Sequence, residues 1–249
     1  MPESRYSILA IATIIVVGLG GSHCGASDEE QPPVSFESRR MEMVENQIVR
    51  RGVQDSAVID AMRTVPRHRF VEDKYVKEAY GDHPLPIGEG QTISQPFVVA
   101  AMTEALGVGP KDTVLEVGTG SGYQAAVLAE IVNQVYTIEI IADLGKAAER
   151  VLNELEYKNV HVKIGDGYQG WPEHAPFHGI IVTAAPDHVP QPLTDQLAMW
   201  GRMVIPVGRD LQSLLVLTKT PEGIKREEKF GVRFVPMTGE ALQNDDSGQ

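Results

Sequence analysis

The stretch that decides the fold is Val114–Glu130, "VLEVGTGSGYQAAVLAE". Four strand-like residues run into glycines at 118, 120 and 122, and helix-forming residues follow at once. A strand that turns through alternating glycines into a helix lets main-chain N–H groups approach a ligand closely, and such loops usually hold a nucleotide or nucleoside. The spacing narrows the choice. The dinucleotide fingerprint G-x-G-x-x-G needs a glycine where Tyr123 stands, and no G-x-x-x-x-G-K-[ST] occurs, so a P-loop is excluded. Gly118, Gly120 and Gly122 form a loop suited to a nucleoside, without a phosphate seat.

Acidic residues follow in order. Glu116 lies two residues before Gly118, where a carboxylate repels a pyrophosphate and suits a cation. The second strand-like run ends "VYTIEI", which puts Glu139 seventeen residues after Gly122, at a tip that reaches a ribose. A carboxylate accepts from both ribose hydroxyls, each charge-assisted bond contributing about 1.5–3 kcal/mol. The third run leads into "GDGYQGWP" (165–172), placing Asp166 where it can accept from an exocyclic amine such as adenine's. Taken singly, an acid after a strand is usually a turn or cap residue. Three of them in this order around the glycine loop point to S-adenosylmethionine, an adenosine that carries a positive sulfonium.

Working outward, strand-like runs lie at 113–117, 134–139, 159–164, 179–184, 202–206 and 213–218, with helical stretches at 122–132, 142–156 and 191–199. This alternation predicts an α/β, doubly wound, mainly parallel Rossmann-like sheet whose ligand sits beyond the carboxyl ends of the strands. The runs at 213–218 and about 229–235, joined by the polar "KTPEGIKREEK", are expected to pair antiparallel at one edge. Upstream, Met41, Val44 and Ile48 fall at helical spacing within 36–51, and Asp55 is placed to cap a second helix. Residues 81–96 read as loop, and Pro96 opens a helix.

The 249 residues fit one α/β domain with extensions, and a formal net charge of −12 argues against a nucleic-acid partner. The seven histidines show no H-E-x-x-H or cysteine-paired spacing, so no metal site is expected, and His68 and His83 read as loop or packing residues. Residues 1–26 have the order of a signal peptide: Arg5, an apolar run over 8–19, then small residues. Export to the periplasm or the outer membrane face follows from that leader. Membrane contact is expected only if it stays uncleaved or is lipidated at Cys24; a start at Met41 or Met43 would remove it. Residues 27–35 read as a linker, 36–106 as an N-terminal helical segment with a substrate-side loop, 107–241 as the core and 242–249 as a disordered tail.

These motifs together resemble the protein-L-isoaspartate O-methyltransferase family, from about Met41 to Gly239. "EVGTGSGYQAAVLA" is similar to that family's cofactor loop, and "GEGQTISQP" (88–96) resembles its hallmark segment. "VPRHRFV" (65–71), "GDGYQGWP", "IIVTAAP" (180–186) and "GRMVIPVG" (201–208) match in the same order. The resemblance implies a class I methyltransferase sheet and methyl transfer to the free α-carboxylate of isoaspartyl proteins and peptides. It implies Ser94 as the active-site serine with Thr92 and Ile93 beside it, and Gly167 with Asp166 next to adenine. Thr183, Ala184, Ala185 and Pro186 would form the substrate wall. It also implies a cytoplasmic enzyme, against the leader. "AMWGRMV" departs from the family's Pro-Gly-Gly turn, with Trp200 before a single glycine. From the residues alone, Ser94 reads first as a helix cap before Pro96. Two alternatives stay open: a class I methyltransferase acting on another small carboxylate or nucleophile, and a non-catalytic cofactor-binding envelope protein.

Overall fold

The computed structural model describes residues 35–243. The leader (1–26), the linker (27–35) save its last residue, and residues 244–249 of the tail lie outside the described residues. Ser35 accepts from the Ser38 N–H at 3.1 Å and caps α1 (Phe36–Met43). A π-turn (Val44–Ile48) and a 3₁₀ turn (Val49–Arg51) continue it. Val44 and Ile48 are buried as expected, but Met41 is exposed and Met43 takes the inner place. The wider i→i+5 turn rotates the apolar stripe away from regular helical spacing. Asp55 accepts from the N–H groups of Ala57 and Val58 and caps α2 (Ser56–Thr64), as its position predicts.

Residues 81–96 are not all loop. They hold a hairpin of β1 (Leu85–Gly88) and β2 (Gln91–Ile93), turned through Glu89 and Gly90, both in left-handed backbone. Strands of four and three residues are too short to show alternation in the sequence. α3 (Pro96–Leu106) starts on its proline. Then come β3 (Thr113–Val117), α4 (Tyr123–Ala129), β4 (Gln134–Glu139), α5 (Ala142–Glu154), β5 (Val160–Ile164), β6 (Phe177–Val182), α6 (Gln191–Asp195), β7 (Leu197–Val207), β8 (Gln212–Thr220), β9 (Gly223–Val232) and α7 (Glu240–Gln243). α7 carries the backbone two residues into the expected tail.

Seven strands form one sheet in the order β5-β4-β3-β6-β7-β8-β9, parallel from β5 to β7 and antiparallel thereafter. Side chains of β3 alternate between two cores. Val114 packs with Val135 and Ile181 beneath α3 and α4, whereas Leu115 and Val117 join Ile138, Ile180 and Leu193 on the other face. β4 and β6 flank β3 on opposite sides, so the connections diverge there and leave a crevice at the carboxyl ends.

Two expectations fail near one edge. The helix read over 191–199 ends at Asp195, because Gln196 is held by three partners: its side chain accepts from Trp171 N–H and donates to Gln169 O, both at 2.8 Å, and its carbonyl accepts from Phe177 N–H. The polar connection after β8 is itself strand: Gly223–Val232 pairs with β8 along nearly its whole length. An exposed edge rich in lysine and glutamate blocks pairing with other chains but hides the alternation that marks a strand.

β7 bulges against β6, where Phe177 pairs with Leu197 but Gly179 with Arg202, and inside the bulge the exposed Trp200 takes φ +65°. Left-handed backbone costs a residue with a Cβ about 1–2 kcal/mol. Trp200→Gly should therefore raise the urea midpoint, at unchanged slope, by the equivalent of about 1 kcal/mol. A fall instead would mean that indole contacts outweigh the strain.

Candidate active site

The carboxyl ends of β3, β4 and β6 open onto a crevice that the β1–β2 hairpin and residues 235–238 also line. Most of the residues singled out in the sequence meet there: Thr92, Ile93 and Ser94 from the hairpin side, Glu116, Gly118 and Gly120 from the glycine loop, Glu139, Asp166 and Gly167 from the next two strand ends, and Thr183 and Ala184 after β6. Gly122, Ala185 and Pro186 do not line it.

Glu139 is buried, and both its carboxylate oxygens take main-chain donors: Gly120 N–H at 2.7 Å and Ile141 N–H at 2.9 Å. The Ile138 carbonyl accepts from Gly118 N–H at 2.9 Å and Thr119 N–H at 3.2 Å. The end of β4 thus fastens the loop that follows β3. Each carboxylate oxygen keeps a second lone pair for a ligand hydroxyl.

Glu116 is fully buried beneath the loop. Its neighbours follow from sheet register: it stands opposite Thr137 of β4 and Ile181 of β6. The Thr137 hydroxyl donates to Glu116 Oε2 at 2.6 Å and lies 2.6 Å from the Thr119 hydroxyl, whereas Glu116 Oε1 has no partner. Burial, opposed by the Thr137 bond and reinforced by Glu139, pushes the Glu116 carboxyl up to about 8.

Asp166 accepts from Tyr168 N–H at 2.9 Å and from Glu240 N–H at 2.7 Å, so it caps a 3₁₀ turn and anchors the start of α7. Thr183, expected as substrate wall, also ties the loop: its hydroxyl donates to Gly118 O at 2.6 Å. Gly118 has φ +98°, and a Cβ there would overlap that hydroxyl. Gly122 belongs to packing instead of the crevice. It caps α4 at φ +87°, and a Cβ would press on Ala148 and Leu152 of α5 at 3.3 Å. Ala185 is consumed by pairing: its N–H donates to Val235 O and its carbonyl accepts from Met237 N–H, both at 2.8 Å. Pro186 is buried, its carbonyl accepting from Gly208 N–H.

Ser94 is half-buried, and its hydroxyl makes no hydrogen bond to the described residues. It does not cap α3. Gln95 holds that position, with its side-chain amide donating to Asp82 at 2.7 Å. The hydroxyl is therefore available to a ligand.

Sequence reasoning missed Thr119 and Thr137, which hold Glu116, and residues 235–238, which line the crevice from far along the chain. Thr137 could have been found, since it alternates inward with the apolar residues of its strand. Nothing local marks 235–238. Tyr123, read as a helix-packing residue, is buried edge-on against Phe70 at 5.6 Å, and also lines the crevice.

The titratable lining residues are Glu116, Tyr123, Glu139 and Asp166, without a lysine, arginine or histidine. A buried carboxyl oxygen lacking a partner, under a loop whose Gly118, Gly120 and Gly122 amides are already bonded within the protein, fits a nucleoside that carries positive charge and fits a phosphate poorly.

Comparison with known proteins gives the same direction. The family model for protein-L-isoaspartate(D-aspartate) O-methyltransferase matches residues 38–242. A protein-L-isoaspartate O-methyltransferase of Gloeobacter violaceus is 59% identical over 203 residues, 81% of this chain and 99% of that one. Another, from Picosynechococcus, is 56% identical over 80% of this chain and 90% of its own. A solved protein-L-isoaspartate O-methyltransferase superposes with a TM-score of 0.77 at 28% identity, covering 85% of this chain and 69% of that one. A Plasmodium falciparum structure described as a putative member in complex with S-adenosyl-L-homocysteine gives 0.70 at 27% identity, over 80% and 98%. With a matched family model across most of its length and relatives above half identity, this chain belongs to the protein-L-isoaspartate(D-aspartate) O-methyltransferase family.

Proposed function

We propose that this chain is a protein-repair enzyme that moves the methyl group of S-adenosylmethionine to the free α-carboxylate of L-isoaspartyl residues in damaged proteins and peptides. The observation that carries the reading is a crevice in which Glu116, Glu139 and Asp166 converge on the glycine loop with no basic side chain, beside the 88–96 segment. The donor supplies an electrophilic methyl on a sulfonium centre, and its acceptor, a carboxylate with a reference pKa of about 4, needs no general base.

The residues align rather than activate. Glu139 offers its remaining lone pairs to the ribose hydroxyls, and Asp166 with Gly167 borders the adenine. The Ser94 hydroxyl, free of other partners, donates to the acceptor carboxylate, with Thr92, Ile93 and Ala184 shaping the place where the kinked peptide lies. Orientation of this kind contributes about 7–11 kcal/mol of the barrier reduction. The neighbouring backbone amide nitrogen then attacks the ester carbonyl and expels methanol, closing a succinimide that water reopens in part to normal aspartate. The exported location rests on residues 1–26 alone, and fractionation of cells expressing the full chain tests it.

The functional reading predicts that labelled methyl passes from S-adenosylmethionine to an isoaspartyl peptide and not to its aspartyl twin; equal labelling of both, or of neither, would overturn it. Glu139→Ala removes the acceptor for Gly120 N–H and Ile141 N–H and the ribose contacts together. Calorimetry should show donor affinity lower by about tenfold or more, and unchanged affinity would refute the role. Ser94→Ala should leave donor affinity within about twofold while lowering kcat/KM for the isoaspartyl peptide by about tenfold or more. An unaltered rate would remove Ser94 from the acceptor side.

A further inference from the structure

The crevice holds one group whose position the alignment chemistry leaves unexplained. Glu116 needs no access to a ribose or a base, yet a carboxyl group is buried completely under the cofactor loop, on the central strand. Apolar residues occupy the other inward positions of β3, and Ile181 stands beside it on β6. One oxygen is held by Thr137, the other is buried without a partner, and the residue borders the crevice. Leaving a buried acceptor unpaired is costly unless a ligand completes it.

We propose that Glu116 distinguishes donor from product by charge: it gives up its proton to solvent as the sulfonium is bound, and takes one back when the neutral thioether remains. The inference rests on the functional reading above and concerns how that same site is regulated. Three observations support it. First, no cation competes for Glu116 within the crevice: the other titratable groups that line it are Glu139 from β4, Asp166 after β5 and Tyr123 from α4, and of these Glu139 acts on Glu116 directly. The buried Arg67 stacks on the ring of Tyr123 at 4.8 Å without lining the crevice. Second, the hydroxyls of Thr137 and Thr119 form a chain 2.6 Å at each link, and hydroxyls donate or accept, so the chain accommodates either protonation state. Third, burial and Glu139 raise the Glu116 carboxyl to about 8, so it is protonated at neutral pH until a positive charge arrives.

Linkage fixes the sign. A proton released on binding makes affinity rise with pH below the free-protein pKa and level off above it. Donor and product carry the same amino acid and adenosine groups, so their difference isolates the sulfonium.

The test is titration calorimetry of the full chain in two buffers of different ionisation enthalpy, between pH 6 and 7. S-adenosylmethionine should release close to one proton more than S-adenosylhomocysteine, and its affinity should rise by up to about tenfold per pH unit while that of the product stays flat. Glu116→Gln should remove both differences, leaving the proton count and the pH dependence the same for the two ligands. Equal proton counts for the two ligands in the unaltered protein would overturn the inference and leave the methyltransferase reading standing. Absence of binding by either ligand would overturn that reading itself. The unaltered protein decides the matter even if the variant fails to fold.

Discussion

The carboxylate of Glu139 joins the end of one strand to the loop that follows another, and the site depends on that junction. A glycine loop is useful because its backbone can come close to a ligand, and the same conformational freedom makes it costly to order. Glu139 accepts from Gly120 N–H and Ile141 N–H, the Ile138 carbonyl accepts from Gly118 and Thr119, and Thr183 closes the third side through Gly118 O. Charge-assisted bonds to main-chain donors are strong and directional. The loop is thereby fixed from β4 and β6 before any ligand enters, which is the preorganisation that an alignment mechanism requires.

The N-terminal segment supports this loop from behind. Arg67 and Phe70, from "VPRHRFV", pack against Tyr123 at the start of α4, the guanidinium 4.8 Å above the ring and Phe70 edge-on. Burial lowers the Arg67 pKa to about 10, which leaves it charged at neutral pH, and its Nε donates to Ala79 O at 2.8 Å. Its two terminal nitrogens have no hydrogen-bond partner, so the tyrosine face is the main compensation on that side. His68 stacks on Phe36 at 4.1 Å and shares a 2.7 Å hydrogen bond with Tyr80, the packing role expected of it. A helical segment far upstream of the glycines therefore packs against the first residue of α4, where the helix leaves the loop.

Charge and chemistry meet in the same place. Three carboxylates with no cation would repel one another if all were ionised. The arrangement is tolerable because Glu139 and Asp166 accept from main-chain N–H groups, while burial favours the neutral form of Glu116. A positively charged donor meets no competing cation among the groups that line this crevice.

What could be read from the sequence was local. The alternation of β3, the glycines, the acid at the end of β4, the cap at Asp55 and the proline that opens α3 depend on neighbours within a turn or a strand, and their periods are written in the chain. Tertiary structure alone decided the rest. It turned Gly122 into a contact for α5, drew Ala185 into pairing with a segment fifty residues later, made a charged run into the edge strand β9, and buried Glu116 until its proton became hard to remove. Each of those outcomes depends on which distant residue comes to lie opposite, and that is settled by the register and packing of the whole sheet, not by any short window of residues.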